Sequence, residues 1–472
     1  MNSKKLHTIF LLLLFIGLFI YIIIRAKTLS FTHDESFSFT FLNGNNGNNT
    51  ANNHLLNTYL MGVCSNWFGN SELSLRLPNI LSFILYFSGI FLIFKRLNNG
   101  WISITLASIL LINPYVLDFF SLARGYGLSL GFLMISLYFF VRNNQKYKHI
   151  EVFNKDFLFS IVFASLALFS NLSSINYFIT ILILFSFQFY FYNSFEKIRP
   201  NKANYYFYII ILISFIPLYF SVQRLLLLNS SGQLYFGTYS LRTTFNTISA
   251  SVLYTGGYSE YVFKSISNVL LFGIPLSIII SLFWIKRIEV RYKKIVFLFL
   301  IIIVGLFLES LLFHAKFPIG RSTLIYFPLI ILLFYFFVEK SLNKLPKSIG
   351  LYLSIALFFS LIIPIFIHFK NVNNFSHFAD WKYDSHTKEV ALILEKETKN
   401  QEYKSKISNN WLFEPALNYY ISTKKMNLEK ATRDSISPES TYIYENYFDY
   451  DSSKYKVLIK FDDTKTILLK KR

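Results

Sequence analysis

The run Ile9-Phe10-Leu11-Leu12-Leu13-Leu14-Phe15-Ile16-Gly17-Leu18-Phe19-Ile20-Tyr21-Ile22-Ile23-Ile24 leads directly into Arg25-Ala26-Lys27 and then into Thr32-His33-Asp34-Glu35. An unbroken apolar run of this length reads as a membrane-spanning helix. Lys4 and Lys5 precede it, as they would in a signal peptide. No small-x-small cleavage site follows, so the run is expected to stay as an uncleaved first helix. Two carboxylates beside a histidine then emerge at the membrane surface.

Runs of the same kind recur at 77–94, 102–117, 127–141, 157–169, 175–191, 205–222, 262–285, 295–313, 322–338 and 348–369, giving about eleven expected spans. Composition agrees. Of the 472 residues, 53% are hydrophobic and 15% charged, against about 25% charged in a soluble domain. The expected fold is a polytopic α-helical membrane protein with a small C-terminal α/β soluble domain. Residues 1–370 form the membrane part and residues 371–472 the tail.

The charge is unevenly placed. Residues 1–370 hold 29 Lys and Arg against 11 Asp and Glu, and residues 371–472 hold 17 against 15. The basic excess falls in short loops, among them Lys95/Arg96, 142–155, 197–202, 286–294 and 340–347. That pattern is the positive-inside signature and not a nucleic-acid footprint. It puts the N-terminus in the cytoplasm and the tail outside, periplasmic or extracellular. Cys64 is alone, so neither an intrachain disulfide nor a Cys-based zinc site can form.

The expected outer face has two long loops, 25–76 and from 223 to about 261. The first holds a polar stretch from Asn43 to Thr50, whose sequon Asn48-Asn49-Thr50 reads as a by-product of Asn-rich composition. It continues with Leu55, Leu56, Tyr59, Leu60, Val63 and Trp67 at helical spacing, as in a helix lying on the membrane surface. In the tail, 387–399 and 414–424 read as helices. Residues 454–461 and 464–471 read as strands around Asp462-Asp463.

Ionisable groups at membrane depth are expensive, which makes each a candidate site. Glu151, Asp156, Glu196, Glu289 and Glu339 sit among basic residues on the cytoplasmic side and read as loop charges. Asp34, Glu35, Glu72, Asp118, Glu260 and Glu309 belong to the outer side, where the chemistry is to be sought. Three features stand out. In Thr32-His33-Asp34-Glu35 a carboxylate can act as general base, or simply begin a solvated loop. In the segment 118–126, Arg124 can grip phosphate, or snorkel to headgroups. Around Phe317-Pro318-Ile319-Gly320 stand Glu309, His314, Lys316 and Arg321, a second phosphate contact or an ordinary interfacial turn. His33, His54 and His314 lack the tight spacing of a metal site.

Taken in order, these motifs resemble those of GT-C superfamily glycosyltransferases, in particular bacterial relatives of protein O-mannosyltransferase and of the lipid A aminoarabinose transferase. His33-Asp34-Glu35 is similar to the superfamily's Asp-Glu motif. The stretch from Asn53 to Leu60 is similar to its His-Pro-Leu-x-Tyr stretch, with Leu55 where proline is common. Residues 67–78 match Phe-Gly-x-Ser-Glu-x-x-x-Arg-Leu-Pro, and Ser121-Leu122-Ala123-Arg124-Gly125-Tyr126 matches Ala-Arg-x-Tyr. The match is strong over about 30–140, topological from 140 to 370, and weakest in the tail.

The resemblance implies a glycosyltransferase that takes a sugar from a polyprenyl-phosphate carrier to an acceptor hydroxyl, with inversion, at the outer membrane face. Asp34 would be the base and Glu35 its supporting or acceptor-orienting partner. Arg124, with Lys316 or Arg321, would neutralise the phosphate. His33, His54, Arg76 and Tyr126 would complete the substrate contacts. No cofactor and no catalytic metal are expected. The acceptor is left open among glycan, lipid and protein. A transporter or flippase of a lipid-linked sugar is the alternative, and it should show discontinuous helices or paired repeats.

Overall fold

In hydrocarbon a chain must satisfy its own backbone groups, so apolar runs of spanning length fold as helices. The computed structural model describes residues 3–44, 50–97, 99–142, 150–196, 202–254, 256–433, 437 and 439–472. Its helices are α1 (Ser3–Thr28), α2 (His33–Thr40), α3 (Leu55–Phe68), α4 (Glu72–Phe94), α5 (Gly100–Leu111), α6 (Pro114–Phe120), α7 (Gly125–Arg142), α8 (Ile150–Ser170) and α9 (Ile175–Glu196). They continue as α10 (Lys202–Ser230), α11 (Leu241–Val252), α12 (Glu260–Phe283), α13 (Val290–Phe313), α14 (Tyr326–Leu342) and α15 (Lys347–Val372).

Ten of the eleven expected spans each fall on one of these helices and 102–117 falls on the pair α5–α6, so the count changes. Among the described residues, eight helices are long and apolar enough to cross a membrane, or nine with the pair α5–α6 taken as one span bent by 57°. The bend lies at Asn113-Pro114. Pro114 has no N–H to give to the preceding turn, and Asn113 Oδ1 caps the new helix at Val116 N, 3.1 Å away. Of the other two expected spans, α14 has 17 residues, and α8 is fully described only over residues 155–170. The chain is a multi-span membrane protein.

Helix contacts in a bilayer favour small residues and hydroxyls. A Cβ at Gly89 would lie 2.7 Å from the Met134 backbone, and one at Gly131 2.6 Å from Ser82 O, so α4 and α7 touch along their backbones. Ser136 Oγ donates to Ser160 O at 2.7 Å between α7 and α8. Gly89→Ala is expected to cost about 1–3 kcal/mol by overpacking, read as a lower melting temperature in detergent.

The basic loops gather at the end opposite the tail. Arg291 donates to Arg96 O, and Lys340 to Arg287 O at 2.6 Å. His7 of α1 packs on Trp101 of α5 at the same end. The side chains of Glu151 and Glu196, and the sequon residues Asn48 and Asn49, lie outside the described residues. On the tail face α3 exposes Tyr59, Trp67 and Phe68 and turns Asn57 and Met61 inward. Helix α10 runs on to Ser230, so the expected loop from Gln223 begins as helix.

In the tail, α16 (Thr387–Thr398) and α17 (Glu414–Thr423) pack on a four-stranded sheet of order β1-β2-β4-β3. The strands are β1 (Ile407–Asn409), β2 (Tyr442–Asn446), β3 (Tyr455–Phe461) and β4 (Thr466–Lys471). β1 runs parallel to β2, while β4 is antiparallel to β2 and β3. The two expected helices and two expected strands are present. β1 and β2 were not expected, because one has three residues and they are joined by a long crossover. The tail core is shared: Phe31, Phe39, Met61, Leu75 and Ala123 of the membrane part pack with Leu394, Leu417, Tyr420 and Leu468. The site forms at this seam.

Candidate active site

Thr32-His33-Asp34-Glu35 is the first turn of a helix. Thr32 is the N-cap and Glu35 the third helical residue, and together they close a capping box. Glu35 N donates to Thr32 Oγ1 at 3.4 Å, and Thr32 N donates to Glu35 Oε2 at 2.9 Å. The remaining positions on the Glu35 carboxylate are also taken. Arg76 Nε donates to Oε1 at 2.8 Å, Arg76 Nη2 to Oε2 at 2.7 Å, and Ala123 N to Oε1 at 2.6 Å. Glu35 has no exposed surface. It holds the start of α2 against α4 and the 121–124 turn, and the acceptor-orienting part of its expected role has no geometry to support it.

Arg76 departs from its expected substrate contact in the same way. Its other N–H groups donate to Ala26 O, Leu29 O and Ser30 O at 2.7–2.9 Å. A guanidinium has five N–H donors, so none is left for a ligand. Arg76 fixes the corner between α1 and α2.

Asp34, one residue earlier, points elsewhere. Its Oδ1 accepts from Asn52 Nδ2 at 3.1 Å. Its Oδ2 lies 3.0 Å from Arg321 Nη2 and 3.7 Å from Arg124 Nη2, yet no donor is aligned on it. Burial would push this carboxyl up, but Arg124 and Arg321 outweigh it and, with Asn52, bring it down to about 2. The result is an ionised carboxylate with one oxygen open to a new hydrogen bond.

Arg124 is committed to building this corner. Its Nη1 donates to Asp34 O, Ser38 Oγ and Asn52 O, and its Nη2 to Asn52 Oδ1 at 2.5 Å. Arg321 is the more available cation. Its side chain is 25% exposed and lies between Asp34 and Asp380, 3.9 Å from the latter. Its Nε donates to Tyr126 OH at 3.2 Å, and its guanidinium lies over the rings of Trp381 and Phe236, at 5.1 and 5.9 Å. Tyr126 packs edge-on against His54 at 4.8 Å. His54 Nδ1 donates to Ser170 O at 3.0 Å, and burial, with Arg124, Arg224 and Arg321 nearby, lowers the imidazole pKa well below its ordinary value. Lys316 stays at the surface, donating to Tyr235 O at 2.7 Å.

The tail enters here. His33 N donates to Asp384 Oδ2 at 2.7 Å, and His33 Nδ1 to Leu412 O at 2.8 Å. Asp380 accepts from Tyr115 OH at 3.0 Å. Burial pushes the Asp380 carboxyl up, and Asp34 adds to this against Arg321 and Tyr115. Beneath, Asp118 pairs with Arg25 and accepts from Tyr254 OH and Ala379 N, both at 2.9 Å. Arg25 donates to His377 O at 2.7 Å. This buried pair docks the 377–379 segment onto α1 and α6, so Asp118 serves the frame. Glu72 pairs with Lys388 at 2.9 Å, Glu309 accepts from Asn176 at 3.1 Å, and Glu260 is exposed beside Lys264. His33, His54 and His314 do not gather into a metal-binding group among the described residues. Of the six acids expected on this face, Asp34 is the one that meets arginines and keeps an open oxygen. Asn52, Asp380 and Tyr115 were missed, because asparagine, loop aspartate and interfacial tyrosine carry no motif. The Glu35 clamp was legible, since Thr-x-x-Glu before a helix is a capping box.

Residues 54–220 match the family model described as dolichyl-phosphate-mannose-protein mannosyltransferase. The apo structure of ArnT from Cupriavidus metallidurans superposes with a TM-score of 0.54 at 8% identity, covering 98% of both chains. The chain has the GT-C glycosyltransferase fold. ArnT from the same organism bound to undecaprenyl phosphate matches at TM-score 0.50 and 10% identity over 97% of both chains. An oligosaccharyltransferase from Archaeoglobus fulgidus gives 0.49 at 11% identity, over 92% of this chain and 68% of that one. No curated protein sequence matches the chain. The family match begins at His54, two positions after Asn52.

Proposed function

We propose that the protein is an inverting glycosyltransferase that moves a sugar from a polyprenyl-phosphate carrier to an acceptor hydroxyl at the outer face of a bacterial inner membrane. The observation that carries this reading is the Asp34 carboxylate, whose buried Oδ2 lies 3.0 Å from Arg321 and 3.7 Å from Arg124 with no donor aligned on it. Glycosyl transfer needs a proton acceptor and a stabiliser for the leaving phosphate within one sugar's reach, and this corner supplies both. The acceptor oxygen attacks the anomeric carbon and its proton passes to Asp34 Oδ2. The bond from anomeric carbon to phosphate oxygen breaks, and its electron pair leaves on the polyprenyl phosphate, where Arg321 stabilises the growing charge. Glu35 and Arg76 hold Asp34 in place without touching substrate. The N-terminus is cytoplasmic and the tail lies outside, supported by the basic end opposite the site.

The reading is tested by incubating purified protein with a panel of polyprenyl-phosphate sugars and following polyprenyl phosphate. Release that depends on protein and acceptor is expected. Passage of intact lipid-linked sugar across a liposome bilayer with no release would favour the transporter instead.

The arginine pair also gives a pH signature. With the donor absent, Asp34 stays ionised down to about pH 2. A donor phosphate that draws Arg321 to itself removes part of the field that keeps the carboxyl low, so its pKa rises. The kcat/KM profile for the donor reports free enzyme and the kcat profile reports the complex. The acid limb of kcat should therefore lie at higher pH than that of kcat/KM. Coincident limbs would mean that Arg321 does not leave Asp34 for the donor.

A further inference from the structure

The tail closes one side of the site with the turn Ala379–Asp384, and that turn is held at both ends. At its start Ala379 N donates to Asp118 Oδ2 at 2.9 Å. At its end Asp384 Oδ2 accepts from His33 N at 2.7 Å, in the first turn of the helix that carries Asp34. The turn bends at Trp381, whose ring lies 5.1 Å from the Arg321 guanidinium. A segment tied at both ends to the membrane part is a wall of the site, with its side chains in set positions.

Two of those side chains are not used up by the fold. Asp380 Oδ2 accepts from Tyr115 OH at 3.0 Å and lies 3.9 Å from Arg321 Nη1, too far for a hydrogen bond. Among the described residues its Oδ1 accepts no hydrogen bond, and its side chain is 31% exposed. Tyr383 is half-buried near Phe413, and among the described residues its hydroxyl makes no hydrogen bond. Burial raises the pKa of this phenol, and Asp384, Asp34 and Asp380 add to that against Arg321, so it stands neutral among their charges. Asp34 itself is 7% exposed, and its Oδ2 is buried without a partner. Around Arg321 there are thus two carboxylate oxygens that can only accept and one phenol that can donate or accept, all with capacity unspent.

We propose that Asp380 and Tyr383 form the acceptor subsite, and that the acceptor is a saccharide. This rests on the transferase reading above, and both residues lie outside the stretch 54–220 that the family model matches. One hydroxyl of the acceptor sugar bonds to the anomeric carbon. Its proton passes to Asp34 Oδ2, and the donor's carbon–oxygen bond breaks onto the phosphate. A neighbouring hydroxyl of the same ring donates to Asp380 Oδ1 and meets the Tyr383 hydroxyl. Asp380 so takes the acceptor-orienting part that Glu35, held by Thr32, Arg76 and Ala123, does not play. A serine or threonine side chain has a single hydroxyl. It can satisfy Asp34, but it leaves Asp380 and Tyr383 unpaired in the cleft, at a cost to that class of acceptor. A site that hydrogen-bonds a substrate hydroxyl discriminates strongly against analogues that lack it.

The test is an acceptor competition with the full-length protein in detergent and a panel of polyprenyl-phosphate sugars as donors. Methyl hexopyranosides, cyclohexanol and a threonine-containing peptide are supplied together, and the sugar transferred to each is counted. The ratio between acceptors does not depend on how much of the protein is folded. Wild type should favour a pyranoside over cyclohexanol, a six-membered ring with one hydroxyl, by about 10²-fold or more. Asp380→Asn should lower that ratio by about tenfold and Tyr383→Phe by about threefold, the worth of a charged and of a neutral hydrogen bond. Asp380→Glu should keep more of the ratio than Asp380→Asn. A purely structural role would lower total transfer and leave the ratio where it was, so an unchanged ratio in both variants would overturn the subsite. Transfer to the peptide ahead of every pyranoside, or to water alone, would overturn the saccharide acceptor. If wild type released polyprenyl phosphate from no donor, the transferase reading would fail instead.

Discussion

Asp34→Asn is expected to reduce sugar transfer by about 10²–10⁴-fold, the usual worth of a positioned general base, while the protein still folds and binds donor. Asparagine keeps the shape and can still bond Asn52, but it cannot take a proton. Donor binding should not weaken, because Arg321 and Arg124 lose a competing carboxylate at 3.0 Å and 3.7 Å. Single-turnover transfer, read together with donor affinity, separates this from a general defect. Wild-type turnover by Asp34→Asn would remove Asp34 from the chemistry.

Glu35→Gln should fail differently, although the residue is adjacent. Its carboxylate accepts from Thr32 N, Ala123 N and two nitrogens of Arg76, all out of water. A neutral amide leaves the Arg76 guanidinium buried without its counter-charge and sets an NH₂ against one of its donors. Breaking a buried pair from one side costs about 3–5 kcal/mol. The expected result is a large drop in melting temperature and expression, with activity lost in proportion to folded protein. Arg76→Ala should behave in the same way. A stable, well-expressed Glu35→Gln that binds donor but does not turn over would instead give Glu35 a direct part in catalysis.

How far the sequence could be read depended on the range of the interactions. Spanning helices are written locally, as apolar runs, and all eleven expected segments are helical. Their number as full spans is less legible, since a break at Asn113-Pro114 and the short α14 bear on the count. Asp34 and Arg124 were found because they sit in contiguous motifs. The roles within those motifs were not all visible. That Arg76 spends every donor on Glu35 and three backbone carbonyls depends on how α4 meets the α1–α2 corner. The tail's share was hidden for the same reason. Asp380 and Asp384 carry no motif, yet they reach Tyr115 and His33 from more than 250 positions away.

The account turns on a single displacement at the anomeric carbon with Asp34 as the only proton acceptor, and the configuration of the product tests this most directly. A single turnover with a donor that the wild-type protein uses, followed by determination of the anomeric configuration of the transferred sugar, should give complete inversion, with one polyprenyl phosphate released per sugar moved. Retention would contradict the account, because it requires two displacements, with a carboxylate such as Asp34 attacking the anomeric carbon instead of taking the acceptor's proton.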